Sequence, residues 1–405
     1  MPRRICVVVT ARPSYARVKS VLTAIRNRRA LELHVVVAAS ALLDRYGSAV
    51  RTIEQDGFPI AARLYTVLEG DAPALMAKTT GLGLIEMATT LERLRPDVVV
   101  TIADRYETLA TATTAAYMNI PLAHLLGGEM TGSIDDKVRH AVTQLADLHF
   151  VATQQAAWRV MSMGHPPDRV FVTGCPSVDI AAEVLADPAL RFDPIDKYGG
   201  VGPRLDLSSG YLLVLQQPVT TEFEAARHQI VETLHAIRAV NLPTLWFWPN
   251  VDAGADGAAD GIRTFREQEK PANVHFFKNM APPDFLRVLY NCRCLVGNSS
   301  VGLREAAFLA VPTVNIGSRQ TGRERARNVL DAPHDRRAIA DAVAAQLRRG
   351  RVAPDPLYGD GSAGERIADI LERTRLPLGQ TPAAPARGQP TPRIQEHEAA
   401  LSGIG

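Results

Sequence analysis

Ile5-Cys6-Val7-Val8-Val9-Thr10-Ala11-Arg12-Pro13-Ser14 is the stretch on which the fold class turns. Its first six residues form an apolar, mostly β-branched run without polar alternation, the pattern of a strand buried on both faces of a parallel sheet. The polar turn Ala11-Arg12-Pro13-Ser14 ends that strand, and the apolar spacing over 15–28 predicts a helix. Strand, tight turn and helix make half of a βαβ unit, and the chain repeats it. Further strands are expected at 33–38, 98–102, 122–126, 148–152 and 170–173. Helices are expected up to 94 and over 108–118 and 136–146.

A looser Pro- and Gly-rich stretch, 186–209, interrupts this rhythm, which then restarts. The second half predicts strands at 211–215, 244–248, 274–277, 294–297 and 313–316, with helices over 221–240, 282–291 and 301–309. Helices at 336–348 and 364–375 follow. At 405 residues the chain exceeds one ordinary core. The reading is α/β: two Rossmann-like, doubly wound domains facing a cleft, at 1–185 and 210–358 with 186–209 as linker. A helix at 359–375 and a Pro-rich tail at 376–405, too poor in apolar pattern to bury a core, complete the division.

Composition narrows the function. Forty-five Lys and Arg against 43 Asp and Glu give a net charge of +2, so no basic excess argues for nucleic acid. No apolar stretch reaches the roughly 20 residues of a membrane span. Met1-Pro2-Arg3-Arg4 precedes too short an apolar run for a signal sequence. Cys6, Cys175, Cys292 and Cys294 lack zinc-site spacing and read as buried thiols, so the chain is expected in the cytoplasm.

Three stretches carry candidate chemistry. Gly297-Asn298-Ser299-Ser300-Val301-Gly302-Leu303-Arg304-Glu305-Ala306 follows a strand and opens a predicted helix. Two hydroxyls, free backbone N–H groups and a helix dipole make an anion site there, and a plain serine cap is the alternative. Glu305 suits ribose hydroxyls or simply complements the dipole. Arg319, Arg323 and Arg325 stand among glycines after the next strand, where guanidinium forks fit diphosphate oxygens, as does Arg12 in the first turn.

In the first half, Ala103-Asp104-Arg105-Tyr106-Glu107 and Gly127-Gly128-Glu129-Met130-Thr131-Gly132-Ser133-Ile134-Asp135-Asp136 each follow a strand. Their carboxylates are candidates for acid, base or anchor, with a helix cap as the alternative for Asp135 or Asp136.

In this order the motifs resemble the hydrolysing UDP-N-acetylglucosamine 2-epimerases, including the epimerase domain of the bifunctional animal enzyme. The likeness spans about 5–371. Besides the stretches above, Ile53-Glu54-Gln55-Asp56, Arg139-His140-Ala141, Gly174-Cys175-Pro176-Ser177, Pro218-Val219-Thr220-Thr221, Pro249-Asn250-Val251-Asp252-Ala253-Gly254 and Tyr358-Gly359-Asp360-Gly361 carry it.

The resemblance implies a glycosyltransferase-B-like fold whose last helix crosses back, a UDP-sugar substrate and a homo-oligomer, with no metal or nicotinamide. It implies that Ser299, Ser300, Glu305, Arg319, Arg12 and Met280 hold the nucleotide and that Arg105 and Asp136 meet the sugar. Asp104, Glu129, Asp135 and Gln217 fall at catalytic positions. UDP is eliminated across C1–C2, and water adds with inversion at C2. Three positions depart: Leu126 stands where the family has a catalytic glutamate, Gln217 where it has a histidine, and Ala103 where it has a glycine. Glu129 is then the nearest substitute acid or base. A sugar transferase on the same cleft, or a nucleotide-sugar sensor, is the alternative these departures raise.

Overall fold

β1 (Arg3–Val9) is buried from Ile5 onward and pairs on both edges in parallel, Val7 lying opposite Val35 on one side and Val100 on the other. A computed structural model describes residues 1–44, 48–69, 73–131, 134–249 and 254–375. Gly132, Ser133, Asn250-Val251-Asp252-Ala253 and the tail 376–405 lie outside the described residues.

From the first turn onward run α1 (Arg12–Ala16), α2 (Lys19–Arg26), β2 (Leu31–Ala38), α3 (Ala49–Gln55), β3 (Ile60–Leu64), α4 (Pro73–Leu94) and β4 (Val98–Ile102). Next come α5 (Tyr106–Tyr117), β5 (Leu122–Leu125), α6 (Ile134–Leu145), β6 (Leu148–Val151), α7 (Gln154–Ser162), β7 (Val170–Val172), α8 (Pro176–Ala186) and α9 (Pro194–Tyr198). Among the described residues the seven strands form one parallel sheet, ordered β3-β2-β1-β4-β5-β6-β7.

The second lobe repeats the plan with β8 (Leu212–Leu215), α10 (Ala226–Val240), β9 (Thr244–Phe247), α11 (Ala255–Glu269), β10 (Val274–Phe277), α12 (Pro282–Asn291), β11 (Cys294–Gly297), α13 (Glu305–Phe308), β12 (Thr313–Ile316), β13 (Val329–Ala332), α14 (Arg336–Arg349) and α15 (Ala363–Arg373). Its order, β10-β9-β8-β11-β12-β13, is the same winding. Each sheet therefore reverses direction once, between β1 and β4 and between β8 and β11. In open α/β sheets the crevice at the carboxyl ends of such strands is where ligands bind.

The lobes interlock. Ile367, Ala368 and Leu371 of α15 are buried in the first lobe's core, while Ile180, Ala181 and Val184 of α8 pack into a core of the second. Arg28, just past α2, reaches Glu365, Asp369 and Glu372 on α15. Each buried Ile or Leu contributes roughly 1.5–3 kcal/mol, so α15 is a structural strap. The stretch 186–209 is more than a tether: Asp193 caps α9, and Val201 forms an antiparallel bridge to Phe276 at the edge of the second sheet.

Two expected helices differ. The helix predicted over 15–28 is broken between α1 and α2, where Val18 leaves helical geometry at φ −129° and ψ −8°. The break lets Arg17 turn toward the other lobe. The helix predicted over 301–309 is a 3-10 turn, Ser300–Gly302, and the four-residue α13, separated at Arg304 (φ −103°, ψ −81°). So short a helix offers little macrodipole, and the anion argument passes to side-chain donors.

Candidate functional site

The turns after the switch-point strands face one another across a cavity of about 220 Å³. Arg12 and Tyr15 follow β1, and Asp104 and Arg105 follow β4. Gln217 follows β8, and Ser299, Ser300 and Glu305 follow β11; all eight line the cavity, with Asp135, Met280 and Arg319. Of the residues expected at a site, Glu129, Asp136, Arg323 and Arg325 fall outside its lining.

On the second-lobe wall the chain must leave β11 close to β8. Gly297 makes this possible: its φ is +136°, and a Cβ there would collide with the Leu215 carbonyl oxygen. The next residue, Asn298, is fully buried and acts as a hub. Its side-chain oxygen accepts from Gln217 N at 2.7 Å, and its amide donates to Gln217 O at 2.8 Å. Its backbone carbonyl accepts from Arg319 Nη1 at 3.3 Å and Gln320 Nε2 at 2.8 Å. One asparagine thus ties three strand ends together and sets Arg319 beside the serines.

Ser299 Oγ accepts from Val301 N at 3.4 Å, while Ser300 Oγ accepts from Arg17 Nη2 at 3.1 Å across the lobes. Arg12 donates to Lys278 O at 3.2 Å and Asn279 Oδ1 at 2.8 Å, again across the lobes. Glu305 is buried, and its Oε2 has no hydrogen-bond partner among the described residues, so it is placed to accept from a ligand hydroxyl. Met280, also of the second lobe, is buried near Phe277 and Leu286. Three guanidiniums, two hydroxyls and one carboxylate on a partly apolar wall suit a phosphorylated nucleoside.

The loop 319–325 does not converge as a whole. Arg323 turns to Glu129 and Asp104, and Arg325 pairs with Asp331 at 2.7 Å. Arg319 alone of its three arginines lines the cleft.

On the first-lobe wall, Asp104 accepts from Arg139 Nη2, with Arg323 Nη2 at 3.9 Å. Burial pushes its carboxyl up, but Arg139, Arg17 and Arg323 hold it well below the usual carboxylate range. Asp104 is therefore ionised at any ordinary pH. Asp135 lies half-buried in the first turn of α6. Arg105 donates to Glu107 at 3.1 and 3.3 Å, which fixes its guanidinium at the cleft wall.

Glu129 and Asp136 lie behind the cleft lining, held by other side chains. Both Glu129 and its neighbours Arg304 and Arg323 are buried, and the two arginines grip its carboxylate. Burial raises that carboxyl, yet Arg304, Arg323 and Arg139 bring it down to about 2, a poor setting for a proton donor. Asp136 accepts from Thr131 N at 2.8 and 3.0 Å and from Thr131 Oγ1 at 2.8 Å, and pairs with Arg139. It shapes the loop behind the cleft.

Leu126 is buried in the hydrophobic core at φ +63°, and Ala103 sits at φ +62°. Both keep a left-handed turn that favours glycine, and neither brings a polar group to the cleft.

Sequence reasoning missed Arg17, Asn298, Arg304 and Arg139 as site-shaping residues. Arg17 was masked by a helix pattern that the structure breaks, and Arg304 by the assumption of a continuous helix after Ser300. The Gly-Asn-Ser-Ser stretch did hold a signal for Asn298, because a buried asparagine between two strand ends commonly bridges backbone groups.

Among the described residues no group of three or more His, Cys, Asp or Glu is disposed to hold a metal ion, and no helix is long and apolar enough to cross a membrane.

The chain is similar to a UDP-N,N'-diacetylbacillosamine 2-epimerase (hydrolyzing) of Legionella pneumophila, with 32% identity over 93% of this chain and 97% of that one. A GDP/UDP-N,N'-diacetylbacillosamine 2-epimerase (hydrolyzing) of Campylobacter jejuni is 28% identical over 82% of this chain and 84% of its own. Among solved structures, a UDP-GlcNAc 2-epimerase from Neisseria meningitidis bound to UDP-GlcNAc shares the fold with a TM-score of 0.75 at 16% identity, covering 92% of this chain and 100% of that chain. The family model described as UDP-N-acetylglucosamine 2-epimerase matches residues 23–372. With that match running through both lobes, the chain belongs to the UDP-N-acetylglucosamine 2-epimerase family.

Proposed function

We propose that the protein is a hydrolysing 2-epimerase of a UDP-N-acetylhexosamine. The observation that carries this is the convergence of both switch points on one cleft, with Ser299, Ser300 and Arg319 on one wall and Asp104 and Asp135 on the other. In the proposed reaction a base takes the C2 proton, the C1–oxygen bond to UDP breaks with its electron pair leaving on the diphosphate, and a glycal forms. Water then gives a proton to C2 from the opposite face and its hydroxyl to C1, releasing a 2-epimeric free sugar.

The residues divide these tasks by their charge. Arg319, Arg12 and the serine hydroxyls neutralise the departing diphosphate, which lowers the barrier where charge develops. Asp104, held ionised by its arginines, stabilises positive charge developing on the sugar but neither donates a proton nor readily takes one. Asp135 is left as the carboxyl that gives and takes protons. Gln217 replaces a titrating group by a neutral amide, so it holds the sugar. Relatives named as hydrolysing 2-epimerases favour addition of water over transfer to an acceptor.

The same reading includes a homo-oligomer and a cytoplasmic site. Tyr65, Ile85 and Tyr117 are 72%, 66% and 85% exposed around α4 and α5, large apolar groups of the kind a self-contact covers. All four cysteines are free and buried, as suits a reducing compartment. Light scattering of the wild type and of Ile85→Glu tests the contact, which is wrong if both have the mass of one chain.

The reaction is tested by proton NMR in D₂O with UDP-GlcNAc and with its 4-acetamido-4,6-dideoxy relative. UDP and a free sugar carrying deuterium at C2 are expected from at least one of them. Neither substrate releasing UDP without an acceptor would sink the proposal.

A further inference from the structure

A closed ring of charge lies behind the cleft and joins the lobes. Glu129 comes from the loop after β5; Arg304 comes from the break before α13 and Arg323 from the loop after β12. Arg304 bonds Glu129 Oε2, and Arg323 Nε lies 2.9 Å from the same oxygen. None of these three side chains is more than 4% exposed.

Arg323 also reaches Asp104, where Arg139 is bound, and Arg139 Nη1 returns to the Glu129 carbonyl oxygen at 2.8 Å. The ring therefore runs Glu129, Arg323, Asp104, Arg139 and back to Glu129.

The loop that supplies Arg323 is pressed onto the first lobe. A Cβ at Gly322 would meet Met130 Cβ at 2.8 Å and its backbone at 3.0 Å, and Thr153 Oγ1 bonds Glu324. Four residues upstream the same loop carries Arg319 on the cleft wall. One loop thus touches both the proposed diphosphate site and the proposed catalytic carboxylate.

Stability alone explains the ring poorly. Glu129 Oε1, Arg304 Nε and Arg304 Nη1 are buried with no hydrogen-bond partner among the described residues. Burying charges with unfilled valences is costly, and buried ion pairs often contribute no more than apolar side chains of the same volume.

We infer that Glu129 is a positioning residue: with Arg304 and Arg323 it latches the second lobe to the first, and through Arg323 it sets Asp104 relative to a nucleotide bound at Arg319. The inference rests on the reaction proposed above. Both carboxylates are ionised at neutral pH, so the latch works by charge pairing. Arg17 on Ser300 Oγ adds a parallel contact between the lobes but leaves Glu129 untouched.

The test compares the wild type with Glu129→Gln, Arg323→Gln and the double variant, each checked for a native melting transition. A misplacement of about 1 Å costs about 100-fold in rate, so kcat is expected to fall by about that factor in each single variant. KM for the UDP-sugar and Kd for UDP are expected to stay within about threefold, because Arg319, Ser299 and Ser300 are unchanged. The double variant is expected to lose no more than the worse single one, since both break the same latch.

Where Glu129→Gln fails to fold, Glu129→Asp, which keeps the charge on a shorter arm, is expected to give an intermediate kcat at unchanged UDP affinity. Folded variants that keep wild-type kcat, losses in KM instead of kcat, or losses that multiply in the double variant would each overturn the latch. An active wild type is needed for any of these readings, and a wild type that releases no UDP removes the reaction itself.

Discussion

Asp104 is surrounded by three arginines, and this decides what its replacement does. Asp104→Asn removes the negative charge but keeps the shape, taking one counter-charge from Arg139 and Arg323 and leaving them only Asp136 and Glu129. Loss of an acid–base or charge-stabilising group costs ~10²–10⁴-fold, so kcat for UDP-sugar hydrolysis is expected to fall by that much. UDP affinity by calorimetry is expected to hold, since Asp104 stands on the wall opposite the serines; a parallel loss of UDP binding would refute the assignment. Ser300→Ala makes the complementary case. It removes the acceptor of Arg17 and the proposed donor to the diphosphate, each a hydrogen bond to a charged group. Bonds of that kind contribute roughly 1.5–3 kcal/mol, so Kd for UDP is expected to rise about 10- to 100-fold. At this scale a polar residue directly after a strand marked positions that line the cleft, as at Asp104, Ser299 and Arg319. Glu129, read as a substitute for the missing glutamate because it stands close to Leu126 in the chain, lies outside the cleft lining, and closeness in the chain says nothing about which lobe supplies the neutralising charge. Arg304 and Arg323 lie 175 and 194 residues away from it, beyond any local pattern.

At the scale of elements, strands buried on both faces were legible, and of the edge strands β7 and β10 were read but β3 and β13 were not. β1, β4 and β11 are fully or nearly fully buried and read as apolar runs. β3 and β13 are half-exposed edge strands, Ile-Ala-Ala-Arg-Leu and Val-Leu-Asp-Ala, in which Arg63 and Asp331 interrupt the apolar signal. Helix continuity failed for a related reason. At Arg17 and Arg304 a guanidinium is drawn to the other lobe, and tertiary contact overrides the local helical pattern. The glycine pair after β5 is a strong constraint that the sequence did display. Gly128 has φ +74°, and a Cβ there would run into the Ala156 carbonyl at the start of α7. Gly128→Ala therefore combines backbone strain with overpacking, together roughly 2–4 kcal/mol of destabilisation. Urea unfolding is the measurement, and a midpoint equal to wild type would mean that α7 is not seated on that turn.

For the whole molecule, the interior holds neutral histidines and ionised carboxylates together, and both make it sensitive to acid. His124 is fully buried, with Nδ1 at 3.2 Å from Thr143 Oγ1 and Nε2 at 2.9 Å from the Ala103 carbonyl. Burial lowers it to about 4, helped by Arg139 and His140 and opposed by the Ala103 carbonyl and Asp104. The sign follows from proton counting. Between about pH 6.5 and 4 the unfolded chain binds a proton at this position that the folded chain does not, so stability falls as the pH drops through that window and levels off below it. His149, pushed well below its ordinary value first by burial and then by His165 and His124, acts in the same direction. Glu129 adds a second step. Its folded value of about 2 lies below the ordinary 4.5, so its contribution is complete above pH 4.5 and is lost as the pH falls toward 2. His124 moving from 6.5 to about 4 sets an upper scale of about 3 kcal/mol for the first step. Melting temperature measured from pH 7.5 to 3 is expected to decline in two stages, and His124→Asn is expected to make the first shallower, with the part due to His149 remaining, while leaving the second. A profile flat from pH 7 to 4 would show that these histidines reach water, and with them the layer on which β5 and the Asp104 turn are built.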